Sequence, residues 1–432
     1  MKRREILIRL PVLGTGCAGA AASAGPSSNS GEEAAARRAR ILAAAAEPAL
    51  RADKLPRDPL IIDSVELLRN ERQWLVRVRT TDGAEGVAVA HGGVLSQTYP
   101  IFIQRVAGHA LGTDARDWEA TIEKTCNDRG GFGSNYKWQG LAFWASVASL
   151  EMAVLDLLGK AVGKPVTDLL GEGTLRREIG VYQASFRRGN APEAEIEVFH
   201  RYIAEFGAKA IKYRLGARMR QTPESDARDK ALIPLMRESF PDLTLYADAN
   251  GSYDHVSSLR FGKMLAETGH AFFEEPVPFD HYDETRAVRE ALEGIITIAG
   301  GEQEISLRHF LWQIEHRIVD LPQPDIFYFG GLTRSIKVAR AAHAVGMTCT
   351  PHISGYGLGF LYAAVFAACT TDPGPYQEYK GFDRDLPATA PTGRLVAQEG
   401  TIIVPTAPGF GVELDPAWVA AAETIGRRQL DQ

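Results

Sequence analysis

The stretch that decides the fold lies between residues 210 and 357, where six short apolar runs each end in polar or charged residues. They are AIKYRLG (210–216), LYADANG (245–251), FFEEPVP (272–278), IAGGEQE (298–304), PDIFYFGGLT (324–333) and TPHISGYG (350–357). Three of them deliver Asp248, Glu274 and Glu302, at intervals just under thirty residues. That interval suits one strand and one helix per acid. Acids carried to one rim by successive barrel strands form an oxygen-rich cage for a hard divalent cation.

Working outward, the same alternation extends from Arg177 to about Lys380. The runs EIGVYQAS, AKAIKYRLG, LTLYADAN, HAFFEEP, TIAGGEQE, DIFYFGG, MTCTPHIS and YQEYK read as strands. EAEIEVFHRYIAEFG, SSLRFGKMLAETG, SLRHFLWQIEH and SIKVARAAHAVG read as helices between them. Eight strands alternating with helices predict an α/β fold of the (β/α) barrel type. No GxGxxG opens the first unit, which disfavours a dinucleotide fold. Strand alternation places Lys212 and Arg214 on one face with Tyr213 opposite, and Asp248 with Asn250. By the same rule Glu274 and Glu275 cannot share a face, and Glu274 is the expected ligand.

Upstream, IIDSVELLRN, WLVRVRTTDG and AEGVAVAHGG predict a three-stranded antiparallel meander with turns at Asn70-Glu71 and Asp82-Gly83. Helical patterns follow over Tyr99–Leu111 and Trp118–Lys124. A glycine-rich loop at 126–140 precedes a long helix, AFWASVASLEMAVLDLLGKAVG. Arg129, Tyr136, Lys137 and Trp138 in that loop are candidates to grip an anionic substrate.

Residues 1–30 read as an export signal. Lys2-Arg3-Arg4 precede an apolar run, Ala22-Ser23-Ala24 offers a cleavage site, and the paired arginines resemble a twin-arginine signal. The expectation is a periplasmic protein, or a cytoplasmic one if the signal does not function. Strong helix formers up to Ala46 suggest a linker helix or frayed lead-in within a linker at 31–56.

The 432 residues, 45% hydrophobic and 24% charged, are those of a globular chain with room for a barrel and a second domain. A net charge of −6 gives no reason to expect nucleic acid as partner. The four cysteines form no CxxC pair, which argues against a disulfide framework and a zinc site. No uninterrupted apolar run approaches bilayer-spanning length.

The motifs together resemble the mandelate racemase subgroup of the enolase superfamily. They are the Lys212/Arg214 pair, Asp248-x-Asn250, Glu274-Glu275-Pro276, Gly300-Gly301-Glu302, Pro324-Asp325 with Gly330-Gly331, Pro351-His352 and Glu378. The resemblance implies a modified TIM-type barrel over residues 176–385. An α+β capping domain over 57–175 would be completed by the tail at 386–432. It also implies a homo-oligomer. Asp248, Glu274 and Glu302 would bind Mg²⁺, which would hold a substrate carboxylate and stabilise the enediolate formed when the α-proton leaves. His352 would be the general base, oriented by Asp325. Glu378 would sit on the opposite rim and could donate to the carboxylate if protonated. Asn250 and His91 are further candidates to touch substrate.

Two positions depart from the pattern. Arg214 stands where racemases of this family carry a second lysine, the base on the other face, and arginine stays protonated. Tyr328 stands where a lysine is common. A two-base racemisation is therefore impaired. Dehydration of a sugar acid to a 2-keto-3-deoxy acid needs one base, with Lys212, Tyr213 or Tyr328 able to assist. The alternatives are a racemase or epimerase of a hydroxy acid or amino-acid derivative, and a non-catalytic barrel that binds a carboxylate or metal.

Overall fold

The computed structural model describes residues 28–128, 134–355, 357–381 and 386–430. The export-signal expectation falls almost wholly on residues outside these, as does Arg129. The cap is an antiparallel sheet of β1 (Ile62–Asn70), β2 (Gln73–Thr80) and β3 (Glu85–Val89). The C-terminal strand Glu423–Gln429 pairs along the outer edge of β1. Both chain ends thus build one sheet.

The helix Leu141–Val162 lies across that sheet. A Cβ at Gly86 would fall 2.1 Å from the carbonyl oxygen of Ala153, so glycine there sets how closely β3 approaches the helix. By length and composition this helix could cross a membrane, although Glu151, Asp156 and Lys160 interrupt its apolar run. In the fold 89% of its most apolar window is buried, against the cap sheet on one side and the barrel on the other.

The barrel strands are β4 (Glu178–Ala184), β5 (Ala210–Arg214), β6 (Thr244–Asp248), β7 (Phe272–Glu274), β8 (Thr297–Gly300), β9 (Leu321–Pro322) and β10 (Gln377–Tyr379). β4 to β9 form a parallel ladder in sequence order, and β10 returns parallel to β4. Strand alternation stacks two layers in the lumen. Ala210, Tyr246 and Phe272 belong to an apolar plug, with the Tyr246 and Phe272 rings stacked 4.0 Å apart. Two residues further along each strand stand Lys212, Asp248 and Glu274, all buried.

Three expectations need correction. The run DIFYFGG is a turn rather than a strand, and the sixth strand is the two-residue β9 just before it. Its backbone N–H groups are taken by the Asp325 carboxylate: Oδ1 accepts from the N–H groups of Phe327 and Tyr328 at 2.8 and 2.7 Å. An isolated bridge between Asp325 and His352 stands where the sixth and seventh strands would pair.

The helix Ser28–Ala46 is docked rather than frayed. Ile41 and Ala45 are buried, and Arg37 donates to the Ile314 carbonyl on a barrel helix at 3.0 Å.

The expected helix over Tyr99–Leu111 begins earlier, at Gly92, because the His91 ring caps it, accepting from the Val94 N–H at 3.1 Å. Beyond Pro100, which lacks an N–H to donate, it loosens into a π-helical turn over Phe102–Ala107.

Candidate active site

At the C-terminal ends of the barrel strands lies a cavity of about 550 Å³. His91 from the cap lines it, with Arg214, Asn250, Glu275, Glu302, Tyr328 and His352 from the barrel. Beneath it, ligand oxygens of Asp248, Glu274 and Glu302 all lie within 4.8 Å of one another, and all three residues are buried.

Each acid is held by its own neighbours. Asp248 Oδ1 accepts the Asn250 N–H at 2.7 Å, and Arg214 pairs with Oδ2. Glu274 accepts from Lys212 Nζ at 3.0 and 2.8 Å and from Gln323 at 3.2 Å. Glu302 accepts from Asn250 and Gln303 at 3.2 and 3.1 Å. Burial alone would raise the Glu302 pKa, but His352, Arg214 and Lys212 outweigh it and hold the carboxyl down at about 2. Asp248 Oδ2, Glu302 Oε2 and Glu275 Oε1 are buried without a hydrogen bond among the described residues. Three buried carboxylates converging within 4.8 Å, with no thiolate among them, fit Mg²⁺ as a donor set.

Glu275 is the residue that strand reasoning misplaced. β7 ends at Glu274, and Glu275 adopts φ 42°, so the alternation stops one residue before the argument that relied on it. Its side chain swings into the site, and Oε2 accepts from Asn250 at 3.2 Å. Burial first, then the neighbouring Glu302 and Glu274, pushes its pKa well above the ordinary carboxylate value.

The pair on β5 points inward as alternation requires, while Tyr213 faces outward to His270 at 2.8 Å. Lys212 is fully buried on Glu274. Burial would lower its pKa, but Glu274, Tyr182 and Glu378 together raise it. It stays an ammonium and does not line the cavity.

His352 forms the opposite half. Its Nδ1–H donates to Asp325 Oδ2 at 2.6 Å, and Nε2 faces Glu302 and Glu378, each at 3.2 Å. Asp325 also accepts from the Ser354 N–H at 2.6 Å and from its hydroxyl at 2.9 Å, which locks the carboxylate. Burial would lower the His352 pKa, yet Glu302, Glu378 and Asp325 raise it.

Glu378 therefore lies beside the histidine rather than on an opposite rim. Burial would raise its pKa, but Lys380, Lys212, His352 and Arg214 outweigh it and depress it strongly, which favours the carboxylate over the acid.

Tyr328 lines the cavity, its hydroxyl raised to about 12 by burial and then by Asp325. His91 is buried between Tyr328 and Phe327, its pKa lowered mainly by burial. Because Nδ1 accepts from Val94, the proton of the neutral ring sits on Nε2, which has no partner among the described residues.

Tyr136 and Trp138 lie away from the cavity, 56% and 46% exposed. Asn135 anchors their loop to the cap, donating at 2.8 Å to the carbonyls of Arg105 and Thr125, and the Arg105 guanidinium covers Trp138. Lining residues that sequence reasoning missed include Phe186, Arg218, Met219, Phe279 and Lys380. Only Lys380 carried a signal, two positions after Glu378 on the same strand face.

Comparison with known proteins agrees with this fold. Residues 46–171 match the mandelate racemase / muconate lactonizing enzyme N-terminal domain, and residues 195–418 match the family described as enolase C-terminal domain-like. The chain is 31% identical to D-galactarolactone cycloisomerase of Agrobacterium fabrum over 79% of this chain and 88% of that protein. It is 28% identical to arabinonate dehydratase of Saccharolobus solfataricus over 63% and 70%. A solved mandelate racemase/muconate lactonizing protein from Paracoccus denitrificans, complexed with magnesium, is 26% identical. It superposes with a TM-score of 0.72, covering 85% of this chain and 99% of that one. Cap, barrel and both matched regions make this chain a member of the mandelate racemase/muconate lactonizing enzyme family of the enolase superfamily.

Proposed function

We propose that the protein is a Mg²⁺-dependent sugar-acid dehydratase, which removes the α-proton of a hydroxycarboxylate and expels the β-hydroxyl as water. The observation that carries this is the asymmetry of the proton-transfer groups. Lys212 is locked on Glu274 and Arg214 on Asp248, which leaves the His352–Asp325 pair facing the cavity as a proton relay. A racemase needs a proton donor on the far face, and neither cation there is free to exchange one.

Asp248, Glu274 and Glu302 would hold the ion. When bound, it supplies positive charge opposite the oxyanion that develops on the substrate carboxylate. His352 Nε2 takes the α-proton, and the C–H electron pair moves into the carbon–carboxylate bond. Asp325 keeps Nδ1 protonated and stabilises the imidazolium. The electron pair then forms the α,β double bond as the C–O bond breaks, and His352 returns its proton to the leaving oxygen. The enol product becomes the 2-keto-3-deoxy acid. Asn250 holds Glu275 and Glu302 in place, and the His91 Nε2–H is free to donate to a substrate oxygen.

The similarity to proteins named as cycloisomerases favours a second reading. The same single base would serve if the leaving oxygen belonged to a ring and stayed in the product. Incubating the Mg²⁺-loaded protein with a library of aldonic and aldaric acids and their lactones separates the cases. A 2-keto-3-deoxy product from an open-chain acid supports the dehydratase. Turnover of lactones alone supports ring opening. Exchange of the α-proton into deuterated water with inversion and no elimination overturns both in favour of a racemase or epimerase.

A further inference from the structure

One wall of the cavity carries more positive charge than the carboxylates paired with it. Three arginines follow the ends of β4 and β5, of which Arg214 and Arg218 line the cavity and Arg188 lies behind them. Arg214 is paired with Asp248. Arg188 donates only to neutral acceptors, the Leu215 carbonyl and Oδ1 of Asn250, and its buried Nε has no partner among the described residues. Arg218 lines the cavity and has neither a hydrogen bond nor an ion pair within 4.0 Å among the described residues. The three repel one another: after burial, Arg214 and Arg218 are the largest influences that lower the Arg188 pKa to about 9.

The backbone holds this arrangement at a cost. Arg218 and Met219 sit consecutively at φ 51° and 56°, in the left-handed region that side chains avoid. The turn is fastened to the end of β6, with Leu215 N–H donating to the Asp248 carbonyl at 2.8 Å and Met219 N–H to the Asn250 carbonyl at 2.9 Å. A strained turn that presents an unpaired guanidinium to a cavity is the arrangement expected of an anion clamp. Lys380, which also lines the cavity, is already engaged, donating to the Ile353 carbonyl at 2.5 Å and lying 3.8 Å from Glu378.

We propose that the site takes an acid with two anionic ends, a sugar diacid, with one carboxylate at the acid cage and the second at Arg218. This rests on the reading of the cavity as a hydroxycarboxylate site, and it adds which member of that class fits. Arg188 acts as a positioning residue, holding the turn through Leu215 and adding to the field at Arg218.

The test is calorimetric binding to the full-length Mg²⁺-loaded protein of matched aldaric and aldonic acids, with the corresponding terminally phosphorylated aldonic acids as a third arm. The expected result is that a diacid binds roughly ten- to a hundredfold tighter than its matched monoacid. Arg218→Gln, at an exposed position that leaves folding intact, removes that advantage by weakening diacid binding more than monoacid binding. Arg218→Lys restores part of it. A phosphorylated acid that outbinds the diacid, and loses that advantage in Arg218→Gln, identifies phosphate as the second anion and overturns the diacid. Equal binding of mono- and diacids, or equal weakening of both by Arg218→Gln, overturns the clamp itself. Turnover is read separately on the same acids. If monoacids lose water and diacids neither bind nor react, the dehydratase reading stands and this inference falls. If diacids bind through Arg218 and no elimination occurs, the reverse holds. If no acid of any kind binds, both fall.

Discussion

Lys212 and Glu274 form a two-point ion pair inside the barrel, with Nζ 3.0 and 2.8 Å from the two carboxylate oxygens and both side chains fully buried. A lysine so held is part of the wall of the metal cage and not a base in reserve. Lys212→Met leaves Glu274 as a buried, uncompensated charge, so the metal-free protein should lose about 3–5 kcal/mol of stability. Urea denaturation with and without Mg²⁺ measures this, and the ion should recover part of the loss. Unchanged metal-free stability alongside lost turnover would instead mark Lys212 as a proton carrier.

His352→Asn removes the imidazole that faces Glu302 and Glu378. It should lower α-proton exchange and product formation by about 10²–10⁴-fold while leaving Mg²⁺ affinity within a few-fold. Asp325→Asn should lower turnover as well, with the loss in kcat rather than KM, because Asp325 holds the His352 ring at 2.6 Å and does not line the cavity. Deuterium wash-in followed by NMR reads both variants.

Mg²⁺ should stabilise the fold in proportion to its binding. At a hundred times its Kd the gain is about 2.7 kcal/mol. Asp248→Ala should abolish that gain, and chelation should abolish activity in the parent. Thermal unfolding across a Mg²⁺ titration gives the slope for each protein.

Glu151 lies far from the cage, in the core helix Leu141–Val162. Its carboxylate accepts from the Thr333 N–H at 3.0 Å and from the Trp118 indole at 2.9 Å, tying the cap to a barrel helix. Burial raises its pKa from 4.5 to about 7, against the lowering effect of those hydrogen bonds. A raised acid pKa means that the folded state binds the proton more tightly. Its contribution is full below pH 4.5 and is lost as pH rises through about 7. Glu151→Gln should flatten the stability–pH curve across that window, at the cost of an amide facing the Trp118 N–H. A parallel offset with no change in slope would exclude the titration.

Much of the site was legible because a strand-plus-helix repeat converts sequence spacing into position. Asp248, Glu274 and Glu302 stand at successive strand ends, so reading the period was enough to bring them together. His352 and Asp325 were legible through the resemblance carried by the Pro324-Asp325 and Pro351-His352 motifs, since neither stands on a regular strand. The rule failed where the backbone left the strand. Glu275 enters the site because its φ is positive. The segment after Pro324 is a turn because the Asp325 carboxylate takes the N–H groups that a strand would have paired. Tyr136 and Trp138 stay outside because Asn135, an unremarked residue, fastens their loop to the cap.

The sequence by itself determined the barrel and the three acids of the cage, which follow from local periodicity and chain order and survive folding unchanged. The cap built from both chain ends was legible only through the resemblance to the family. Only the tertiary structure decided which charges neutralise one another. Lys212 is committed to Glu274, Arg214 to Asp248 and Glu378 to the company of His352, while Arg218 is left facing the cavity. Ion pairing depends on separations of a few ångströms between strands distant in the chain, and no periodicity along the sequence encodes those distances.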